Sequence, residues 1–337
     1  MYKPSYVNNA SLSSKEGTHR ASKATREFLN SVGLFPETDA DFTVNLLDYN
    51  EKIVATGSLV GNVLKYIGVS PLEQGNNACA KVVSELVSHA YSNGILKLFL
   101  FTKTENESLF NSLGFYTLAK TNFACMMEND RQGLDNFINS LSVVPKEYNE
   151  SQTEIGSIVC NCNPVTNGHL YLLETAAQAC RLLHVFVLSE DRSMFSTKVR
   201  FELVEKSTAH IKNICLHSSS DYIISSATFP TYFIKDSANS KNINADLDLA
   251  LFGSKIAPEL GITKRFVGTE PYCPVTNSYN ERMKIMLPKY GIEFVEIERK
   301  GGISASKVRK FISEKNFEAI KNIVPTPCYE YIVANYS

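Results

Sequence analysis

Two short stretches of this chain carry residues that could handle phosphate. The first is Asn161-Cys162-Asn163-Pro164-Val165-Thr166-Asn167-Gly168-His169. An apolar run, Ile155-Gly156-Ser157-Ile158-Val159-Cys160, precedes it, and Leu170, Leu173, Ala177 and Cys180 recur at helical spacing after it. A strand therefore leads through a tight Pro/Gly loop into a helix. A helix start offers unpaired N–H groups and a partial positive charge, which suit an anion. Gly168 would let a phosphate approach the backbone closely, and His169 would point a ring N–H at its bridging oxygens. A lone histidine at a helix start is more often structural, so this stretch gains meaning only from a second one.

That second stretch lies about 130 residues on: Gly301-Gly302-Ile303-Ser304-Ala305-Ser306-Lys307-Val308-Arg309. It too has the form of a glycine loop opening a helix. Ser304 is the expected N-cap, while Ser306 and Arg309 add phosphate donors on the first turns. No G-x-x-x-x-G-K-[ST] sequence is present, which argues against a P-loop enzyme.

The elements that must position these residues read as two halves. With 337 residues, the chain is long enough for two domains. The boundary is expected in the polar, turn-rich stretch after Met127: residues 1–130 form one domain, 131–152 a linker with a short helix, and 153–337 the second domain. In the first half, Phe42–Leu46, Ile53–Ser58 and Asn62–Val69 read as strands. A helix over Ala78 to Tyr91, ended by Asn93-Gly94, follows, then a strand over Leu96–Thr102, a short helix over Glu107–Leu113 and a strand over Phe123–Met127. In the second half, Leu182–Leu188 reads as a strand, Arg265–Pro271 as a strand ending in a loop, and Tyr279-Asn280 as a helix start. The fold class is α/β, its second half a Rossmann-like doubly wound parallel sheet that binds ligands at the carboxyl ends of its strands.

Composition excludes several functions. Apolar residues make up 44% of the chain and charged residues 20%, with a net charge of -1, so no polyanion-binding surface and no nucleic-acid partner are expected. No apolar stretch is long enough for a membrane span, and the N-terminal residues lack the apolar segment of a secretory signal. The expected setting is the cytoplasm, with the eight cysteines reduced. Cys160 and Cys162 have no second Cys/His pair at metal spacing, so they read as structural and no protein-held metal is expected.

The order of elements over residues 30–128, with Leu113-Gly114-Phe115 near its end, resembles the GNAT acetyltransferases. Members of that family hold the coenzyme A pyrophosphate on a Gln/Arg-x-x-Gly-x-Gly/Ala loop. Here the matching stretch is Gln74-Gly75-Asn76-Asn77-Ala78-Cys79, with Asn77 and Cys79 in place of the small residues. The resemblance thus implies a GNAT-like scaffold without acetyltransferase activity, which docks a partner or a coenzyme-A-like arm.

Thr166-x-Gly168-His169 with Ile303-Ser304-x-Ser306-x-x-Arg309 resembles the paired signatures of the nucleotidyltransferase superfamily. The resemblance implies attack on the α-phosphate of ATP assisted by Mg²⁺, with His169, Thr166, Ser306 and Arg309 as the catalytic set. Asn161, Asn163, Pro164, Gly168, Ile303 and Ser304 would shape the nucleotide site. By the same resemblance Arg192, Lys198 and Arg200 reach the phosphates or second substrate, and Gly268, Glu270 and Asn280 surround base and ribose. Taken whole, a GNAT-like half joined to such a domain, with Phe266-Val267-Gly268-x-Glu270-Pro271 between the motifs, resembles the citrate lyase ligase family. That implies acetate activated as acetyl-adenylate, then acetylation of the phosphoribosyl-dephospho-coenzyme A thiol on the citrate lyase acyl carrier subunit. The competing readings are transfer of AMP or CMP to a phosphorylated small molecule such as a pantetheine phosphate, and a non-enzymatic nucleotide sensor or scaffold.

Overall fold

The computed structural model describes residues 2–8, 15–36, 40–141, 145–189, 194–223, 237–271, 273–299 and 301–337. The chain divides into two compact units. One comprises Met1–Asp135 with Pro230–Leu247, and the other Asn136–Phe229 with Asp248–Ser337.

The first unit is built on a seven-stranded sheet in the order β1-β2-β3-β4-β5-β7-β6. Its strands are β1 (Lys3–Asn8), β2 (Phe42–Leu47), β3 (Ile53–Val60), β4 (Val63–Val69), β5 (Phe99–Lys103), β6 (Tyr116–Lys120) and β7 (Ala124–Glu128). The apolar segments read from sequence are present, but Leu96 stays exposed ahead of β5, and β1 and β6 are additional. β1 pairs antiparallel with β2, and helix α1 (Lys15–Ser31) follows it. β4 and β5 run parallel and pair only through Val63 with Phe99 and Leu64 with Leu100. Beyond that point they part, and a cleft of about 670 Å³ opens there, lined among others by Gln74, Asn77, Cys79 and Thr102.

Helix α2 (Ala78–Ser92) buries Val82, Val83, Leu86 and Ala90 against the sheet. It comes so close to β3 that a Cβ on Gly57 would lie 2.5 Å from Val82 Cγ1. Asn77, just before α2, adopts φ 59°, the left-handed turn that asparagine tolerates in place of glycine. Helices α3 (Glu107–Ser112) and α4 (Gly133–Ser140) complete the run.

The second unit has a five-stranded, wholly parallel sheet in the order β10-β9-β8-β11-β12. These strands are β8 (Ile155–Cys160), β9 (Leu182–Val187), β10 (Ile214–Ser218), β11 (Lys264–Gly268) and β12 (Glu293–Ile297). β9 and β10 extend the sheet to one side of β8, β11 and β12 to the other. The winding reverses between β8 and β11, which is where a doubly wound sheet opens a crevice at its carboxyl ends.

Helix α5 (Asn167–Gln178) follows β8 and α6 (Thr197–Ser207) follows β9. Helix α7 (Ser237–Leu251), whose residues up to Leu247 belong to the first unit, is followed by a π-helical turn over Phe252–Ile256 and α8 (Ala257–Glu259). α9 (Pro274–Met286) follows β11, and α10 (Ala305–Ser313) and α11 (Thr326–Tyr336) close the chain. α9 starts at Pro274, not at Tyr279, because a proline at the first helical position lacks only an N–H that would go unpaired there. The core packs Ile158, Leu173, Val185, Val204, Phe266 and Val308 around the sheet. Among the described residues no helix is long and apolar enough to cross a membrane.

Candidate active site

Thr166 is the N-cap of α5, and it forms a reciprocal pair with His169. Its Oγ1 accepts from the His169 main-chain N–H at 3.4 Å, while His169 Nδ1 accepts from the Thr166 N–H at 3.1 Å. An Nδ1 that accepts leaves the proton of a neutral ring on Nε2. Burial, reinforced by the positive charge of Arg299 and opposed by Glu270, pushes the His169 pKa down to about 4. The ring is thus a neutral donor of fixed tautomer, free to offer Nε2–H.

The other first-turn donors sort themselves in the same way. Asn167 N–H donates to the Ile323 carbonyl at 2.9 Å. Gly168 N–H has no intramolecular acceptor among the described residues, so α5 presents one bare main-chain donor beside the ring. A Cβ on Gly168 would lie 3.9 Å from the Ile303 carbonyl oxygen, so the two motifs face each other at this point.

α10 begins as expected: Ser304 is its N-cap and accepts from Lys307 N–H at 3.3 Å. Ser306 Oγ lies 3.0 Å from Ser304 Oγ on the exposed side of that turn. Arg309 Nη1 donates to the Asn163 carbonyl at 2.5 Å, which ties α10 to the loop ahead of α5. Asn163 Oδ1 accepts from Phe195 N–H at 3.3 Å, and Pro164 is buried behind it.

Arg200 departs from the sequence expectation of a phosphate contact, because it is 0% exposed. Its Nη1 donates to the carbonyl and Oδ1 of Asn161 at 2.9 and 2.7 Å and to the Leu188 carbonyl at 2.8 Å. Nε donates to the Phe195 carbonyl at 3.1 Å and Nη2 to Thr197 Oγ1 at 3.0 Å. It clamps the loop from inside. Lys198, two residues earlier on α6, is exposed, and Arg192 lies outside the described residues.

Asn280 also turns inward. It is 3% exposed on the middle of α9, and its Nδ2 donates to the Gly268 carbonyl at 3.1 Å, fixing the end of β11. Glu270, just beyond, accepts at Oε1 from Cys273 N–H at 3.1 Å and from Arg299 Nη1 at 3.2 Å. The sequence reading passed over Arg299. Its sequence context, a basic residue between Glu298 and Lys300 four positions before Ile303, gives it no distinguishing mark. Among the described residues no three His, Cys, Asp or Glu side chains converge to hold a metal ion.

This constellation combines a neutral imidazole donor, a bare main-chain N–H, two hydroxyls on a second helix start and two arginines. Such a set can stabilise charge developing on a phosphate without a covalent enzyme intermediate. A family model for the citrate lyase ligase C-terminal domain matches residues 155–332. The citrate (pro-3S)-lyase ligase of Klebsiella pneumoniae is 39% identical over 320 residues, covering 92% of this chain and 92% of that protein. Among solved structures, an acyl-CoA N-acyltransferase from Pseudomonas aeruginosa overlays 39% of this chain and 100% of its own, at 12% identity and a TM-score of 0.33. Thermotoga maritima TmcAL, bound with alpha-thio ATP, overlays 54% of this chain and 55% of its own, at 14% identity and a TM-score of 0.36.

Proposed function

The chain belongs to the citrate lyase ligase family, and we propose that it activates acetate with ATP and passes the acetyl group to a carrier-bound thiol of citrate lyase. The observation that carries this reading is the meeting of the two motifs, with Arg309 bonded to Asn163 and Ile303 against Gly168. A carboxylate oxygen of acetate attacks the α-phosphorus of ATP. The bond from that phosphorus to the bridging oxygen of the β-phosphate breaks, and pyrophosphate leaves with the electron pair. The thiolate of the phosphoribosyl-dephospho-coenzyme A group then attacks the acetyl carbon, and AMP departs.

In the first step the His169 Nε2–H and Gly168 N–H donate to phosphate oxygens, while Ser304, Ser306 and Arg309 hold the triphosphate from the facing helix start. Thr166 keeps the imidazole in its donor tautomer. Mg²⁺ would travel on the triphosphate oxygens, as is usual for this ion, and the chain's own residues need not cage it. The eight free cysteines fit a reducing, cytoplasmic setting.

The cleft between β4 and β5 is the place in the first unit suited to a thiol-bearing, pantetheine-like arm. It has apolar walls, including Val32, Leu64 and Leu109, and ends at the start of α2. Leu109→Trp, at a half-exposed wall position, should slow acetylation of the carrier and leave acetyl-adenylate formation intact.

Acetate-dependent exchange of labelled pyrophosphate into ATP tests the central claim. Exchange with acetate alone is expected. Exchange that instead requires 4′-phosphopantetheine would replace this reading with a conventional adenylyltransferase.

A further inference from the structure

We infer that Arg299 binds the triphosphate of the nucleotide and that Glu270 is the residue that positions it. The inference rests on the nucleotide site proposed above and adds two roles to it. Arg299 stands two residues past β12, and Glu270 two residues past β11. These strands are parallel neighbours with Gly268 opposite Ile297, so both residues leave the sheet at one level. That level is the crevice beside β8, from which the Thr166–His169 loop also emerges.

Arg299 is held by main chain and side chain alike. Its N–H donates to Thr269 Oγ1 at 3.0 Å and its Nη1 to Glu270 Oε1 at 3.2 Å. Glu270 is in turn anchored by the Cys273 N–H at the N-cap of α9. The two side chains are 24% and 14% exposed, so the guanidinium is neither sealed in the core nor loose in solvent. A planar fork held in this way suits a polyphosphate, because little side-chain freedom remains to be lost on binding.

The direction in which the guanidinium acts follows from His169. Its imidazole senses Arg299 as the strongest nearby charge, with Glu270 acting the opposite way. The charge of Arg299 thus reaches His169 from the β11–β12 side of the crevice, while Arg309 reaches the loop ahead of it from α10. Glu270 thus acts through Arg299, not on the base or ribose.

The test uses the full chain with three variants, Arg299→Met, Arg299→Lys and Glu270→Gln, and two readouts besides activity. Binding of α,β-methylene-ATP is measured by calorimetry, and the His169 ring is titrated by NMR. Arg299→Met is expected to weaken analogue binding about tenfold or more, on the scale of one lost charged hydrogen bond. It should also raise the His169 pKa and lower acetate-dependent exchange about 100-fold. Glu270→Gln should lower kcat more than it raises KM for ATP, and should move the His169 pKa further down.

A folded Arg299→Met protein with analogue affinity and exchange within about twofold of the parent overturns the inference. If that variant fails to fold, Arg299→Lys decides: it keeps the charge and loses the fork, so parental affinity overturns the proposal and a clear loss supports it. A parent protein that binds the analogue but shows no acetate-dependent exchange would sink the acyl-adenylate reading alone. The role of Arg299 would then still be decided by analogue binding.

Discussion

Arg309 donates from Nη1 to the main-chain carbonyl of Asn163 at 2.5 Å, across 146 residues of sequence. This bond makes one site out of two motifs that are each weak alone. A guanidinium partly engaged by a carbonyl stays oriented, and its remaining N–H groups can face a ligand.

His169→Ala should lower acetate-dependent pyrophosphate exchange about 100-fold, the scale for losing one preorganised donor. The variant removes the acceptor of the Thr166 N–H as well, so a small loss of thermal stability is expected. Near-parental exchange would remove His169 from the reaction.

The pH dependence of exchange should carry no His169 step between pH 6 and 8. With a folded pKa of about 4, the imidazole is already neutral across that window and gains a proton only in strong acid. An inflection near pH 6.5 that disappears in His169→Ala would contradict this assignment.

Stability, by contrast, should fall with acid through a different pair. His184 Nδ1 and His217 Nε2 lie 2.8 Å apart on β9 and β10, both buried. Burial lowers their pKa values to about 4 and about 3, with His184 adding to the effect on His217. The unfolded chain, with ordinary histidines near pH 6.5, binds more protons than the fold from there down to pH 4. Stability should therefore drop as pH falls through that window, by about 3 kcal/mol for a histidine shifted this far. Urea midpoints at pH 7.5 and pH 5 check this, and His184→Gln/His217→Gln should reduce the difference, with His169 supplying part of what remains.

Arg200→Met should destabilise the chain by about 3 kcal/mol, because it removes the fully buried guanidinium that donates to the Phe195 carbonyl and to the part-buried carbonyls of Leu188 and Asn161. Exchange should fall with it, since Asn161 begins the catalytic loop. Chemical denaturation of the variant, with an unchanged m-value, is the measurement. Parental stability would show that the clamp carries no weight.

Much of this was readable from sequence where the signal is local. Ser304 announces itself as an N-cap ahead of apolar periodicity, and it caps its helix. Asn77, which stands where the GNAT loop has glycine, adopts the left-handed turn that asparagine tolerates. The misreadings share a different cause. The resemblance implies Arg200 at the phosphates and Asn280 around base and ribose, whereas both are buried, and a polar residue on a helix gives no sign of which face is buried. Arg299 gave almost no signal, since its partners Thr269 and Glu270 become neighbours only when β11 and β12 align. β1 was missed because Lys3-Pro4-Ser5 is polar, and its place at the sheet edge asks for little apolar surface.

The loop over residues 161–169 is secured by arginines that belong to later parts of the chain, Arg200 within and Arg309 from α10. During synthesis, β8 and α5 leave the ribosome well over a hundred residues before α10. A nascent chain or a prematurely ended product can carry the histidine loop without its second clamp. Such species should bind ATP poorly and leave it unconsumed, so the arrival of the last helices sets the moment at which this protein begins to use nucleotide.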